Sequence, residues 1–134
     1  MAGTVLLGVP VMTLARQLDA LRASEQACRL AAFGDLGACI VLRNSCAAEH
    51  PQEYFDELCQ QARRGFTLLD AGSAGAPGAP ADDVLVLTPG EARVFVRAAD
   101  GSGDAVLCVC SSAEAAGRLV APARNLLAAM AEGA

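Results

Sequence analysis

Six cysteines, Cys28, Cys39, Cys46, Cys59, Cys108 and Cys110, and one histidine, His50, are the residues of this 134-residue chain best suited to nucleophilic or metal chemistry. A catalytic thiol–imidazole pair needs both groups within hydrogen-bond reach. Cys46 stands close to His50 in one polar stretch, but no Asn or Asp is placed by spacing to orient the ring, so the two read as loop residues rather than nucleophile and base. Cys108 and Cys110 share one face of a strand-like run and could hold a soft metal together with Cys28 or Cys39 from neighbouring strands. Metal thiolates usually sit on turns, so these four are read as reduced, small core residues. The carboxylate pairs Asp56-Glu57 and Asp82-Asp83 are adjacent in sequence and diverge, which suits solvated charge better than acid–base work. The Gly-rich stretch at 72–78 lacks the Lys, the preceding strand and the following helix of a phosphate cradle. No catalytic, cofactor-binding or metal-ligating residue is assigned; the chain is expected to be a non-enzyme without a cofactor.

The length suits one domain with one substantial core. The apolar fraction is 54%, but 29 of those residues are alanine, which adds more to the count than to buried area. No apolar run reaches the ~18 residues of a membrane span; the longest, Val5 to Met12, is broken by Gly8 and Pro10. The first dozen residues carry no Arg or Lys, so the positive segment that opens a secretory signal is missing and a cytoplasmic location is expected. Translation from Met12 would suit the first helical pattern equally well, so residues 1–11 read as an extension, an extra strand or a partner-binding arm. All ten basic residues are Arg, which points to a GC-rich, bacterial genome. The formal charge is −5 and the arginines are scattered, so the basic footprint of a nucleic-acid binder is missing.

The elements follow from periodicity. Leu14, Leu18 and Leu21 recur at helical spacing after Thr13, a natural N-cap. Ala27 to Phe33 and Ala38 to Arg43 form a hairpin turned at Gly34, Asp35 and Gly37. After the loop Asn44 to His50, Pro51 opens a second helix. On it, Tyr54, Phe55, Leu58, Cys59, Ala62 and Phe66 fill an arc of roughly 140°, wider than the ~100° that a helix resting on one sheet needs. Two readings fit that width: these six residues form a dimer interface as well as a core face, or the helix is simply well buried in a monomer. The Gly/Ala/Pro segment from Ala71 to Ala81 reads as a flexible connection. Strands follow at Val84–Leu87, Ala92–Arg97 and Ala105–Cys110, separated by turns at Pro89-Gly90 and around Gly101, and short turns favour antiparallel neighbours. In the middle strand Arg93, Phe95 and Arg97 face one side, Val94 and Val96 the other. A last helix runs from Ser111 to Met130, with a late start or a kink expected at Pro122.

The order α-β-β-α-β-β-β-α, an α/β (α+β) arrangement with a five-stranded, mostly antiparallel sheet and helices on both faces, resembles the roadblock/dynein-light-chain family and its roadblock/profilin-like fold. The resemblance covers most of the chain after Met12, as a single roadblock-like domain of residues 12–134. Locally it lies in Phe33-Gly34-Asp35-Leu36-Gly37-Ala38 followed by Ile40-Val41-Leu42, and in Glu114-Ala115-Ala116-Gly117-Arg118-Leu119-Val120. It implies a homodimer whose second helices pack side by side and whose sheets join edge to edge. It also implies an adaptor or regulatory role toward a protein partner, such as a small Ras-like GTPase or a motor complex. The rival expectation is a small-ligand or redox-sensing domain built on the strand cysteines.

Overall fold

The computed structural model describes residues 13–73 and 81–133. Residues 1–11 and the centre of the Gly/Ala/Pro connection lie outside the described residues. Thr13 caps the first helix, α1 (Leu14–Ala23), its hydroxyl accepting from the Arg16 amide at 3.2 Å, and α1 buries Leu18 and Leu21. The hairpin follows as β1 (Cys28–Asp35) and β2 (Ile40–Cys46), then the long helix α2 (Gln52–Ser73). Strands β3 (Asp83–Thr88), β4 (Glu91–Arg97) and β5 (Asp104–Cys110) lead to α3 (Ala113–Arg118) and α4 (Val120–Gly133).

Several boundaries differ from expectation. The polar residues Asn44, Ser45 and Cys46, expected in a loop, extend β2, because Ser45 and Cys46 pair with Ala31 and Leu30. Ala38 and Cys39 belong to the turn instead of the strand. The helix α2 continues into the Gly/Ala/Pro segment as far as Ser73. The final helix is two helices. Ser112 caps α3 through the Ala115 amide, the chain breaks at Leu119, and α4 restarts so that Pro122 falls in its first turn, where amide donors have no helical partner.

All five strands pair antiparallel in the order β2-β1-β5-β4-β3. The central strands β1, β4 and β5 are largely buried on both faces, as a sheet covered on both sides requires. One face packs Leu18, Phe33, Val94, Val96, Val106, Cys108, Leu119 and Leu126 beneath α1, α3 and α4. The other packs Leu30, Phe95, Leu107 and Val109 against Phe55, Leu58, Cys59, Ala62 and Phe66 of α2. Two glycines permit close approach on this second face. A Cβ on Gly34 would lie 2.8 Å from the Ile40 carbonyl oxygen, and one on Gly65 would lie 2.9 Å from Val84 Cγ1.

Candidate interaction surface

The alternation read in β4 seats α2. Arg93, Phe95 and Arg97 project onto the α2 face, with Phe95 in the core and an arginine on each side of it. Arg93 donates to Gln61 Oε1 at 2.9 Å and to Glu91 Oε1 at 3.1 Å, lies 3.7 Å from Glu57, and stands over the Tyr54 ring at 5.5 Å. Arg97 donates to both carboxylate oxygens of Asp70, at 2.6 and 3.0 Å, and to Asp82 at 3.1 Å, above the Phe66 ring at 4.6 Å. Arg97 is therefore held above its ordinary pKa by hydrogen bonds to Asp70 and Asp82, while Asp70 is held below its own. The helix is thus fixed by an apolar seam with an ion-paired clamp on each side.

The six residues proposed for a dimer interface lie mostly inside this seam. Phe55, Leu58, Cys59, Ala62 and Phe66 are buried against the chain's own sheet, and only Tyr54 is partly exposed. Of the two readings of this arc, the single chain provides its own cover: α2 lies over Phe95, Leu107 and Leu30, and the arginines of β4 close over Tyr54 and Phe66 near its margins. The apolar surface left over lies elsewhere. Leu68 is 73% exposed on α2, and on the outermost strand Leu85 and Leu87 are 47% and 64% exposed. Leu68 follows Gly65 by three positions and so shares its flank of the helix, the flank pressed onto Val84 of β3.

The two sheet edges are not equivalent. At the β2 edge Ile40 and Leu42 are exposed, but the pairing with β1 is broken by a bulge at Phe33/Gly34 and the strand carries Arg43 and Asn44. Bulges and charges are the devices that blunt an edge against further pairing. Strand β3, Asp-Val-Leu-Val-Leu-Thr, pairs with β4 in unbroken register, and its only charge is at its first residue. Among the described residues no strand pairs with its outer edge, which offers an uninterrupted row of backbone donors and acceptors. Sequence reasoning placed this strand but did not single out Leu85 and Leu87. Their shared face was readable from alternation; their position at the rim was not, because strand order is absent from periodicity.

Cys46 and His50 line one shallow surface depression, but the Cys46 thiol donates to Asn44 Oδ1 at 3.3 Å and the His50 ring stacks on Tyr54 at 4.2 Å between centroids. Burial pushes the Cys46 thiol up, against thiolate formation. Cys28, Cys108 and Cys110 converge in the core under α1 and α3, where the Cys28 thiol donates to the Leu30 carbonyl at 3.4 Å and hydrogen bonds from Cys108 and Cys110 hold its pKa below the ordinary value. Among the described residues no group of three or more His, Cys, Asp or Glu is arranged to hold a metal ion. No helix among them is long and apolar enough to cross a membrane.

No protein-family model and no curated protein matches the sequence. Solved structures do match. The roadblock/LC7 domain from Streptomyces avermitilis is 15% identical, with 91% of this chain and 98% of that one covered at a TM-score of 0.72. The gliding protein MglB from Thermus thermophilus is 17% identical over 94% of this chain and 96% of that one, TM-score 0.70. MglC from Myxococcus xanthus is 12% identical over 87% and 98%, TM-score 0.60. At such identities the likeness is one of architecture, and it agrees with the strand order and two-faced helix packing above: the chain has the roadblock/LC7 fold.

Proposed function

We propose that this chain is a non-enzymatic adaptor or regulatory domain that works as a homodimer in the cytoplasm and binds a protein partner, with a small Ras-like GTPase as the partner class. The observation that carries the dimer is the open β3 edge, an unbroken, nearly uncharged strand flanked by exposed Leu68 on the α2 side of the sheet and by exposed Leu85 and Leu87 on the opposite side. A second copy related by a two-fold axis would satisfy the free backbone groups of β3 and bring its own helices alongside the exposed leucines on each face of the sheet. In this reading the buried set Phe55, Leu58, Cys59, Ala62 and Phe66 holds α2 in position, and Tyr54 with the outward flank of the helix meets the partner copy. The GTPase rests on the family resemblance, and the neighbours named MglB and MglC are consistent with a regulatory role.

Sedimentation of the purified chain at micromolar concentration, with and without a small GTPase from the same genome in its two nucleotide states, tests both parts. A dimer that co-sediments with one nucleotide state supports the reading. A monomer at every concentration removes the platform, and a dimer indifferent to every GTPase tested removes the partner class.

A further inference from the structure

Two free cysteines of the α2 face, Cys39 and Cys59, stand on different elements, the β1–β2 turn and α2. Cys39 lies in the β1–β2 turn with φ at +58°, the left-handed region that residues bearing a Cβ rarely adopt. The turn before it is fixed: Asp35 Oδ1 accepts from the Gly37 amide at 2.8 Å, and the Leu36 amide donates to the Gly103 carbonyl at 2.8 Å. In that conformation the Cys39 side chain packs against the core beneath α2, which contains Cys59. Cys59 is fully buried, and its sulfur would stand 3.6 Å from a Cβ at Gly34, so the missing side chain of Gly34 makes room for it beside the hairpin. Cys39 is partly open to solvent. The arrangement is one partly accessible thiol and one sheltered thiol in the same apolar cluster, with the sheltered sulfur lying beside the hairpin that carries the other.

We propose that Cys39 and Cys59 form a reversible disulfide site that is oxidised by hydrogen peroxide, fastening the β1–β2 turn to α2. The Cys39 thiolate attacks the terminal peroxide oxygen; the O–O bond breaks, and hydroxide leaves and is protonated to water. The resulting Cys39 sulfenic acid is attacked by the Cys59 sulfur, its S–O bond breaks, and the departing hydroxide takes the Cys59 proton as a second water. Two thiols and one hydrogen peroxide thus give one disulfide and two waters, the two electrons coming from the sulfurs. Cys39 is the sulfur partly open to solvent and meets the peroxide first, while Cys59 is fully buried, with burial pushing its thiol up to about 11, and reacts second. The site lies at the β2 side of the sheet, opposite β3, so it stands or falls separately from the dimer.

The test is treatment of the full chain with a small excess of hydrogen peroxide, followed by non-reducing peptide mapping with cleavage at Arg43 and Glu57, which separates Cys39, Cys46 and Cys59. The expected product is a Cys39–Cys59 linked pair that disappears with dithiothreitol, and a raised thermal midpoint while it persists. Cys39→Gly, which suits the left-handed backbone, should fold normally and yield no link, and Cys59→Ala should leave a Cys39 sulfenic acid that dimedone traps. Peroxide treatment that links Cys28 to Cys108 or Cys110 first, or that leaves Cys39 a free thiol, overturns the proposal.

Discussion

Arg97 of β4 grips Asp70 of α2 through two parallel hydrogen bonds of 2.6 and 3.0 Å, so the last turns of the long helix are tied to the sheet by a planar, two-pronged contact. Arg97→Ala also removes the Asp82 pair and the stacking over Phe66, and is expected to lower stability by about 1–2 kcal/mol. The carboxyl of Asp70 lies below its ordinary 3.8 in the folded chain because Arg97 hydrogen-bonds it, so the unfolded chain binds more protons there in acid. Stability from this contact is present above that value and is lost as pH falls through the lowered folded value. Urea titrations in that acid range should show a shallower decline for Arg97→Ala than for the native chain.

Leu58→Asp places a carboxylate at a position with no exposed surface, against Leu30, Phe95 and Leu107. The unpaired buried charge should cost at least about 4 kcal/mol, a large share of what a domain of this size has. Circular dichroism and proteolysis should report an unfolded or aggregated protein at neutral pH; a folded one would contradict the placement of α2.

Leu87→Lys probes the opposite situation. Its side chain is exposed in the single chain, so the folding free energy should change by no more than about 0.5 kcal/mol. A lysine on an edge strand opposes strand addition, so the variant should sediment as a folded monomer. If it remains a dimer of native affinity, the shared surface is not the β3 edge.

Gly34→Ala adds a methyl group 2.8 Å from a main-chain oxygen, which cannot swing aside as a side chain would. Denaturation should show a loss of about 1–3 kcal/mol from overpacking, with no change in secondary structure.

At alkaline pH the sign reverses. Cys59 ionises at about 11 in the folded chain against its ordinary 9.0, because burial opposes its charge, so between those values the unfolded chain has lost a proton that the folded chain keeps. Stability is unaffected by this group below pH 9 and declines as pH rises from 9 through about 11. Cys59→Ala should flatten that limb in a pH series of thermal melts.

Much of the fold was legible because its elements speak locally. Leu14, Leu18 and Leu21 announce α1, and the alternation of Arg93, Phe95 and Arg97 against Val94 and Val96 announces a strand with two covered faces. Pro122 was rightly expected to disturb the last helix, although the break came at Leu119. Legibility failed where tertiary pairing overrides composition: Asn44, Ser45 and Cys46 look like loop residues and become strand only because β1 offers them partners. It failed also for the surface. The wide apolar arc of α2 suggested a subunit interface, but width cannot distinguish a second molecule from the chain's own sheet and its arginine clamps, and Leu85 and Leu87 became conspicuous only when β3 proved outermost.

The central place of β5 has a consequence for how the protein is made. Its register with β1 joins Cys108 to Ala31, segments that leave the ribosome far apart in time, and the β1–β2 hairpin has no inner neighbour until residues 104–110 emerge. Distant pairing of this kind slows folding. Synthesis therefore passes through a long interval in which two separate hairpins await the strand that unites them, and a chain truncated before Asp104 would yield fragments that cannot assemble.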